Sequence, residues 1–328
     1  MHICIVIDSV IPSLLYGGSE RVVLWLGRAL HEMGHRVTYM ARAGSRCDFA
    51  PVRTLDRTLP FDSQIPKDVD IVHSHSETYM PRNHPVCLTI HGNTRHARTF
   101  HPNTIFVSMK HARNHGAEAF VHNGLDPSEY GPVELNHQGT SFVFLGKAAW
   151  HVKNVRGAIR VARLAGAPIN ILGGWRLNFN MGFRVTLDPN AHFKGMVGGE
   201  EKNQYLRHAR GLIFPVLWEE PFGVAVIESM YFGLPVFGTP YGSLPELVPT
   251  HVGYLSNHAT ELAKAASCAH EYDRNAIHAW WQEHFTSVHM ARKYLTYYEK
   301  ILDGETLHPT PICSPAVRGS KLLDWHRT

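Results

Sequence analysis

Short apolar runs alternate with amphipathic stretches along most of the chain. Residues 2–7 are apolar and end at Asp8. A loop holding Gly17 and Gly18 follows. Within residues 19–33, Val22, Val23, Leu26, Ala29, Leu30 and Met33 recur at helical spacing. Ser19 is placed to cap that helix and Gly34 to stop it. Residues 36–40 supply the next strand. Strand, loop, helix and strand in this order is the signature of a parallel sheet with crossover helices. Further strands are expected at 70–73, 86–90, 104–107 and 119–121, and a short helix at 109–115.

Residues 131–140 are polar and rich in turn formers, and read as an interdomain linker. The alternation then restarts. Strands are expected at 141–145, 168–172, 212–214 and 235–237, and helices at 155–164, 200–208, 224–232, 259–270, 275–284 and 288–302. The pattern predicts an α/β chain of two Rossmann-like domains, 1–135 and 136–286. A helix at 287–302 is expected to cross back to the first domain, because Tyr294, Leu295, Tyr298 and Leu302 need a partner face. The tail at 303–328 has three prolines and little periodicity, and is expected to be irregular. Open parallel sheets bind ligands beyond the C-terminal ends of their strands. Two such domains facing each other across a cleft of loops and helix N-termini would suit a phosphate-bearing ligand.

Composition narrows the partners. At 44% hydrophobic and 18% charged residues, the 328-residue chain can bury a sizeable core. A net charge of +4 with no long basic run gives no reason to expect nucleic acid. Arg42, Arg46, Arg53, Arg57, Arg95 and Arg98 cluster in the first half; they read either as an ordinary solvated surface or as a face for anionic lipid or an anionic acceptor. The five cysteines form no paired motif, and Cys4 and Cys87 sit in apolar runs as buried thiols, which fits a reducing compartment. No stretch reads as a signal peptide or a membrane span. The expected location is therefore the cytoplasm, with peripheral contact at the inner face of the membrane left open.

The most informative stretch runs from Trp218 to Val236. It separates Glu220 from Glu228 by seven residues, with Pro221 ending the preceding segment and Gly223 at the start of a helix. The amides of Gly223, Val224 and Ala225 would form a helix N-terminus suited to phosphate. This stretch resembles the Glu-x7-Glu motif of the retaining glycosyltransferases of family 4 (glycosyl transferases group 1). The following Gly-Leu-Pro-Val and the Gly-Ser-Leu-Pro-Glu-Leu-Val at 242–248 are similar to that family as well. The resemblance covers most of the chain and implies the GT-B fold.

It also implies roles. Glu220 would bind donor-sugar hydroxyls and Glu228 the ribose hydroxyls of the nucleotide, each through charge-assisted hydrogen bonds. Phe222, Gly223 and Val224 would complete the donor site. After Gly146, Lys147 and Lys153 match the two cations that clamp the donor diphosphate. The family usually has arginine at the first of these and glycine after the second, where this chain has Lys147 and Asn154. Lysine cannot make the arginine fork. Gly17 and Gly18 would bring backbone amides to the donor phosphates or an acceptor group. His91 would contact the donor sugar, with the His73-Ser-His75 segment as a rival for that place. His111 and His115 have metal-like spacing but no adjoining glutamate, and read as surface residues.

The implied reaction is retaining, metal-independent transfer from a UDP- or GDP-linked sugar to a carbohydrate or lipid-linked acceptor, as in cell-surface polysaccharide or lipopolysaccharide synthesis. It needs no cofactor and no metal. Asp68-Val-Asp70 spells an acidic metal motif but leads into an apolar strand. A nucleotide-sugar epimerase, a glycogen-type phosphorylase and a non-catalytic nucleotide-sugar-binding subunit remain as alternatives on the same architecture.

Overall fold

The computed structural model describes residues 1–13, 17–179, 183–317 and 322–327. The chain divides into two compact units, Met1–Asp126 with Phe285–Arg318, and Pro127–His284 with Gly319–Thr328.

The first unit holds β1 (His2–Val6), α1 (Gly18–Glu32), β2 (Arg36–Ala41), β3 (Val52–Thr54), β4 (Ile71–Ser74), β5 (Val86–Ile90), β6 (Arg98–Phe100), β7 (Thr104–Phe106) and α2 (Met109–Asn114). Its six-stranded sheet runs β3-β2-β1-β4-β5-β7, and every pairing is parallel. All five residues of β1 are buried, as expected for a strand covered on both faces.

The second unit repeats the plan with β8 (Ser141–Leu145), α3 (Val155–Leu164), β9 (Ile169–Leu172), β10 (Leu177–Asn178), β11 (Arg184–Val185), β12 (Ala191–Phe193), α4 (Gly199–Arg207), β13 (Ala209–Phe214), α5 (Val224–Tyr231), β14 (Val236–Gly238), α6 (Leu244–Leu247), β15 (Gly253–Leu255), α7 (Ala259–Ser267) and α8 (Arg274–His284). Its parallel sheet runs β12-β9-β8-β13-β14-β15. In both units the first strand is flanked by the second and the fourth. This doubly wound order reverses direction beside the first strand, and the crevice at such a switch point is the usual ligand position.

Helix α9 (Ser287–Leu302) lies in the first unit against α1, where Tyr294 and Tyr298 are buried. Its Tyr294 hydroxyl lies 3.0 Å from Thr89 Oγ1, and its Tyr298 hydroxyl 2.6 Å from His73 Nδ1.

Several expectations need correction. Residues 131–140 are not a free linker. Tyr130 is buried in the second unit, the Tyr231 hydroxyl donates to Gly131 O, and Arg207 Nε donates to Pro132 O at 3.1 Å. The units therefore divide at 126 rather than 135. Residues 119–121 make only a bridge, Phe120 to Phe106, not a strand. The tail is not wholly irregular: β16 (Ile312–Ser314) pairs antiparallel with β6, and His326 bridges His258 in the second unit. Tail residues 318–321 and 328 lie outside the described residues.

His111 and His115 are buried rather than surface residues. Their rings pack on Phe106, with centroids at 5.2 and 4.8 Å. Burial lowers the pKa of both. The basic cluster is also less available than its sequence implies, because Arg42 and Arg57 both donate to Asp8 at 2.9 Å. The apparent acidic motif is structural. Asp70 accepts from the His2 amide at 2.6 Å, and Asp68 pairs with Arg36. Among the described residues no helix is long and apolar enough to cross a membrane.

Candidate functional site

In the second unit the candidate residues gather where β8 and β13 end side by side. After β8 come Gly146 and the half-buried Lys147, whose ammonium lies 5.9 Å from the Trp150 ring centre. The chain then makes a 3-10 turn, His151–Lys153, that stops on Asn154 at φ +51°. Asparagine is one of the few residues that takes this left-handed conformation readily, so it serves where the resembled motif has glycine. Its side chain works in two directions. Oδ1 accepts from the Gly157 amide at 3.0 Å and caps α3, while Nδ2 donates to Pro215 O at 3.0 Å. The Leu217 amide also donates to Val152 O at 2.7 Å. These bonds fasten the turn to the loop that leaves β13.

The result is a buried ion pair. Lys153 Nζ lies 2.6 Å from Glu220 Oε2, and the Trp218 indole donates to the same oxygen at 2.7 Å. The ammonium also stands 5.1 Å from the Phe214 ring centre and 5.2 Å from that of Trp218, within cation–π range. Glu220 is held from behind. The Ser243 amide donates to Glu220 O at 2.9 Å, and Ser243 Oγ to Phe222 O at 2.6 Å. Gly242, at φ +61°, passes so close that a Cβ would stand 2.2 Å from the Glu220 amide nitrogen. No other residue fits there.

Gly223, at φ +87°, turns the chain into α5. Phe222 and Gly223 are buried, whereas Val224 and Ala225 at the helix start are half-buried. The first amides of a helix have no partner within it and are electropositive. One turn further, Glu228 is buried, and its Oε1 accepts from the Tyr130 hydroxyl at 2.7 Å and from Lys202 Nζ of α4. The Lys202 ammonium lies 4.7 Å from the Tyr130 ring centre. Each glutamate of the motif thus faces a buried lysine, which is what a carboxylate taken out of water requires.

In the first unit a cavity of about 410 Å³ opens at the C-terminal ends of β1, β4 and β5. Asp8, His75, His91 and Glu20 of α1 line it. Gly17 caps α1, and Gly18 is its first residue. His75 and His91 are partners rather than rivals: His75 Nδ1 lies 2.8 Å from His91 Nε2. Behind them His73 Nε2 meets Thr89 Oγ1 at 2.8 Å, and the His73 and His75 rings stand 4.2 Å apart. Burial pushes His91 down to about 4 and His73 to about 3, and holds His75 well below its ordinary value. All three are neutral at neutral pH.

The structure therefore brings Lys153, Glu220 and Gly223 together, with Lys147 and Glu228 on the same unit, and places Gly17, Gly18 and His91 in the other. The sequence reading missed Trp218, Tyr130 and Lys202. Trp218 was within reach, two positions before Glu220. Tyr130 and Lys202 lie 98 and 26 positions from Glu228, with no spacing to signal the contact.

Residues 139–271 match the family model described as Glycosyl transferases group 1. No match is found among curated proteins. Solved structures share the fold over nearly the whole chain. The glycosyltransferase AviGT4, involved in avilamycin A biosynthesis, is 21% identical with a TM-score of 0.73, over 93% of this chain and 99% of that one. HepE of Anabaena, solved with UDP and glucose, is 15% identical with a TM-score of 0.68, over 92% and 100%. Sucrose-phosphate synthase from Thermosynechococcus elongatus is 16% identical with a TM-score of 0.67, over 93% and 100%. The fold is GT-B.

Proposed function

We propose that this chain is a retaining glycosyltransferase that takes a nucleotide-diphosphate sugar as donor and a carbohydrate or glycolipid as acceptor. The observation behind the reading is the pair of buried glutamates at the switch point of the second unit, each matched to a buried lysine beside a helix N-terminus. Glu220 would accept hydroxyl hydrogen bonds from the donor sugar, and Glu228 from the ribose. Lys147, Lys153 and the first amides of α5 would hold the diphosphate. As the bond from the anomeric carbon to the phosphate oxygen breaks, charge grows on that oxygen, and fixed cations stabilise it. The acceptor hydroxyl attacks from the same face and passes its proton to the departing phosphate. These cations supply the leaving-group charge stabilisation, so no divalent metal is required.

His91 suits a binding role. It meets His75 through Nε2, so Nδ1 is the ring atom left for a sugar hydroxyl. A uridine donor is the first choice, supported by the UDP and glucose bound to the Anabaena relative; a guanosine donor is the second. The acceptor class implied by the family resemblance is a surface polysaccharide or lipopolysaccharide precursor. The test is a thermal-shift and calorimetric screen against UDP, GDP and their sugars, followed by nucleotide release with and without saccharide acceptors in chelator. Stabilisation by a nucleotide and acceptor-dependent release in chelator is the expected result. Release that needs no acceptor would point to an epimerase or hydrolase, and turnover restored only by manganese or magnesium would remove the metal-free mechanism.

A further inference from the structure

The second unit presents a set of exposed apolar side chains on one short ribbon. Strands β10 and β11 form an antiparallel ribbon in which Leu177 pairs with Val185, and Asn178 with Arg184. Side chains alternate between faces along a strand, so the odd-numbered positions share one face. That face carries Leu177 and Val185, and Trp175, Phe179, Phe183 and Leu187 flank them in the chain, with exposures from 43% at Val185 to 87% at Leu187. The Phe179 and Phe183 rings stand 5.7 Å apart. The even-numbered arginines anchor the ribbon instead. Arg184 is buried and donates to Ala148 O and to Trp175 O, while Arg176 donates to Asp188 O at 2.9 Å. An exposed contiguous apolar patch of this kind marks an interaction surface.

The flank of the ribbon decides the occupant. A groove of about 300 Å³ borders β11, lined by Val185 and Leu187 together with Arg156, Arg160, Arg163 and Arg327. The three α3 arginines recur at helical spacing on one side. Among the described residues that line the groove the one acid is Asp188, 3.9 Å from Arg163. Among the described residues, four guanidinium groups against one carboxylate, beside an apolar ribbon, match a layer of phosphates above a layer of hydrocarbon. We infer that ribbon and groove form a docking surface for an anionic phospholipid bilayer. The apolar side chains enter the boundary between headgroups and acyl chains, and the arginines hold headgroup phosphates. The inference is independent of the donor-site reading.

The test is flotation of the full chain with vesicles of phosphatidylcholine alone and of phosphatidylcholine with an equal part of phosphatidylglycerol. Wild-type protein is expected to float with the anionic vesicles only, and less so as salt rises. Phe179→Ser with Leu187→Ser should abolish flotation, and Arg156→Gln with Arg160→Gln should weaken it roughly tenfold or more. Circular dichroism and urea denaturation show that each variant is folded. Equal flotation with neutral vesicles, no flotation with either, or flotation untouched by both variants would overturn the proposal. So would a dimer that the serine variant dissociates in the absence of vesicle binding, since the face would then serve self-association.

Discussion

Lys153 and Glu220 neutralise one another, with Nζ 2.6 Å from Oε2 and both side chains buried. Removing one member of such a pair strands the other charge, at a cost of roughly 3–5 kcal/mol. Glu220→Ala is therefore expected to lower unfolding stability by about that amount. The double variant Glu220→Gln with Lys153→Gln should lose less than the two single variants added together. Urea denaturation of the four proteins in a cycle measures the coupling; strict additivity would show that the pair carries no net interaction.

Glu228 calls for a gentler substitution. Its partners Lys202 and Tyr130 are both buried, so alanine would confound binding with folding. Glu228→Gln keeps the shape and removes the charge. Nucleoside diphosphate affinity is expected to fall by roughly 1–3 kcal/mol, the scale of a hydrogen bond to a charged group. Calorimetry with UDP and GDP checks it, and unchanged affinity would take the ribose away from Glu228.

Gly242 supports Glu220 from outside the motif. A Cβ at this position meets the Glu220 backbone, and φ +61° adds strain of its own. Gly242→Ala is expected to displace Glu220 and cut turnover at least about tenfold, the effect of a small misplacement in a site. The same substitution at Gly44, which has positive φ and open space around it, is the control for strain alone. Equal losses in turnover at both would separate Gly242 from the site.

The histidine cluster sets a pH dependence with a definite sign. In the native chain His91 and His73 titrate near 4 and 3, against an ordinary 6.5 for the unfolded chain. Between those values the unfolded chain binds protons that the native chain refuses, so stability falls as pH falls. Their contribution is fully present above about 6.5 and is lost progressively toward 4. The melting temperature is expected to drop over that window, and less steeply in His91→Gln. Identical slopes for the two proteins would show that His91 titrates normally.

Much of the fold was legible because doubly wound sheets write long, regular patterns. The strands at 86–90 and 141–145 fall where the apolar runs place them. What escaped was short or set by tertiary contacts. Val52–Thr54 and Ile312–Ser314 are three-residue strands without alternation. His111 and His115 look polar in sequence, yet Phe106 draws both rings into the core. At the candidate site the motif residues were readable because their spacing is local. Lys202 was not, because α4 meets α5 only through the fold. Asn154 looked like a departure from the family pattern, yet its left-handed backbone and its cap on α3 do the work expected of glycine and of a cap together.

Lys153 is expected to act on the leaving group more than on ground-state binding. Its charge is balanced by Glu220, so ground-state attraction to a diphosphate competes with that bond. Charge on the bridging oxygen grows only as the glycosidic bond breaks. A cation held in a dry setting by Phe214 and Trp218 is worth more at that moment than before it. Lys153→Ala should therefore lower kcat strongly and leave the donor KM less affected. Because the variant also strands Glu220, Lys153→Ala with Glu220→Gln serves as the folded comparison, with acceptor turnover and nucleotide affinity measured on both. A raised KM with kcat intact would mean that Lys153 holds the donor only. The leaving-group role would then pass to Lys147, which makes no ion pair among the described residues, or to the amides that open α5.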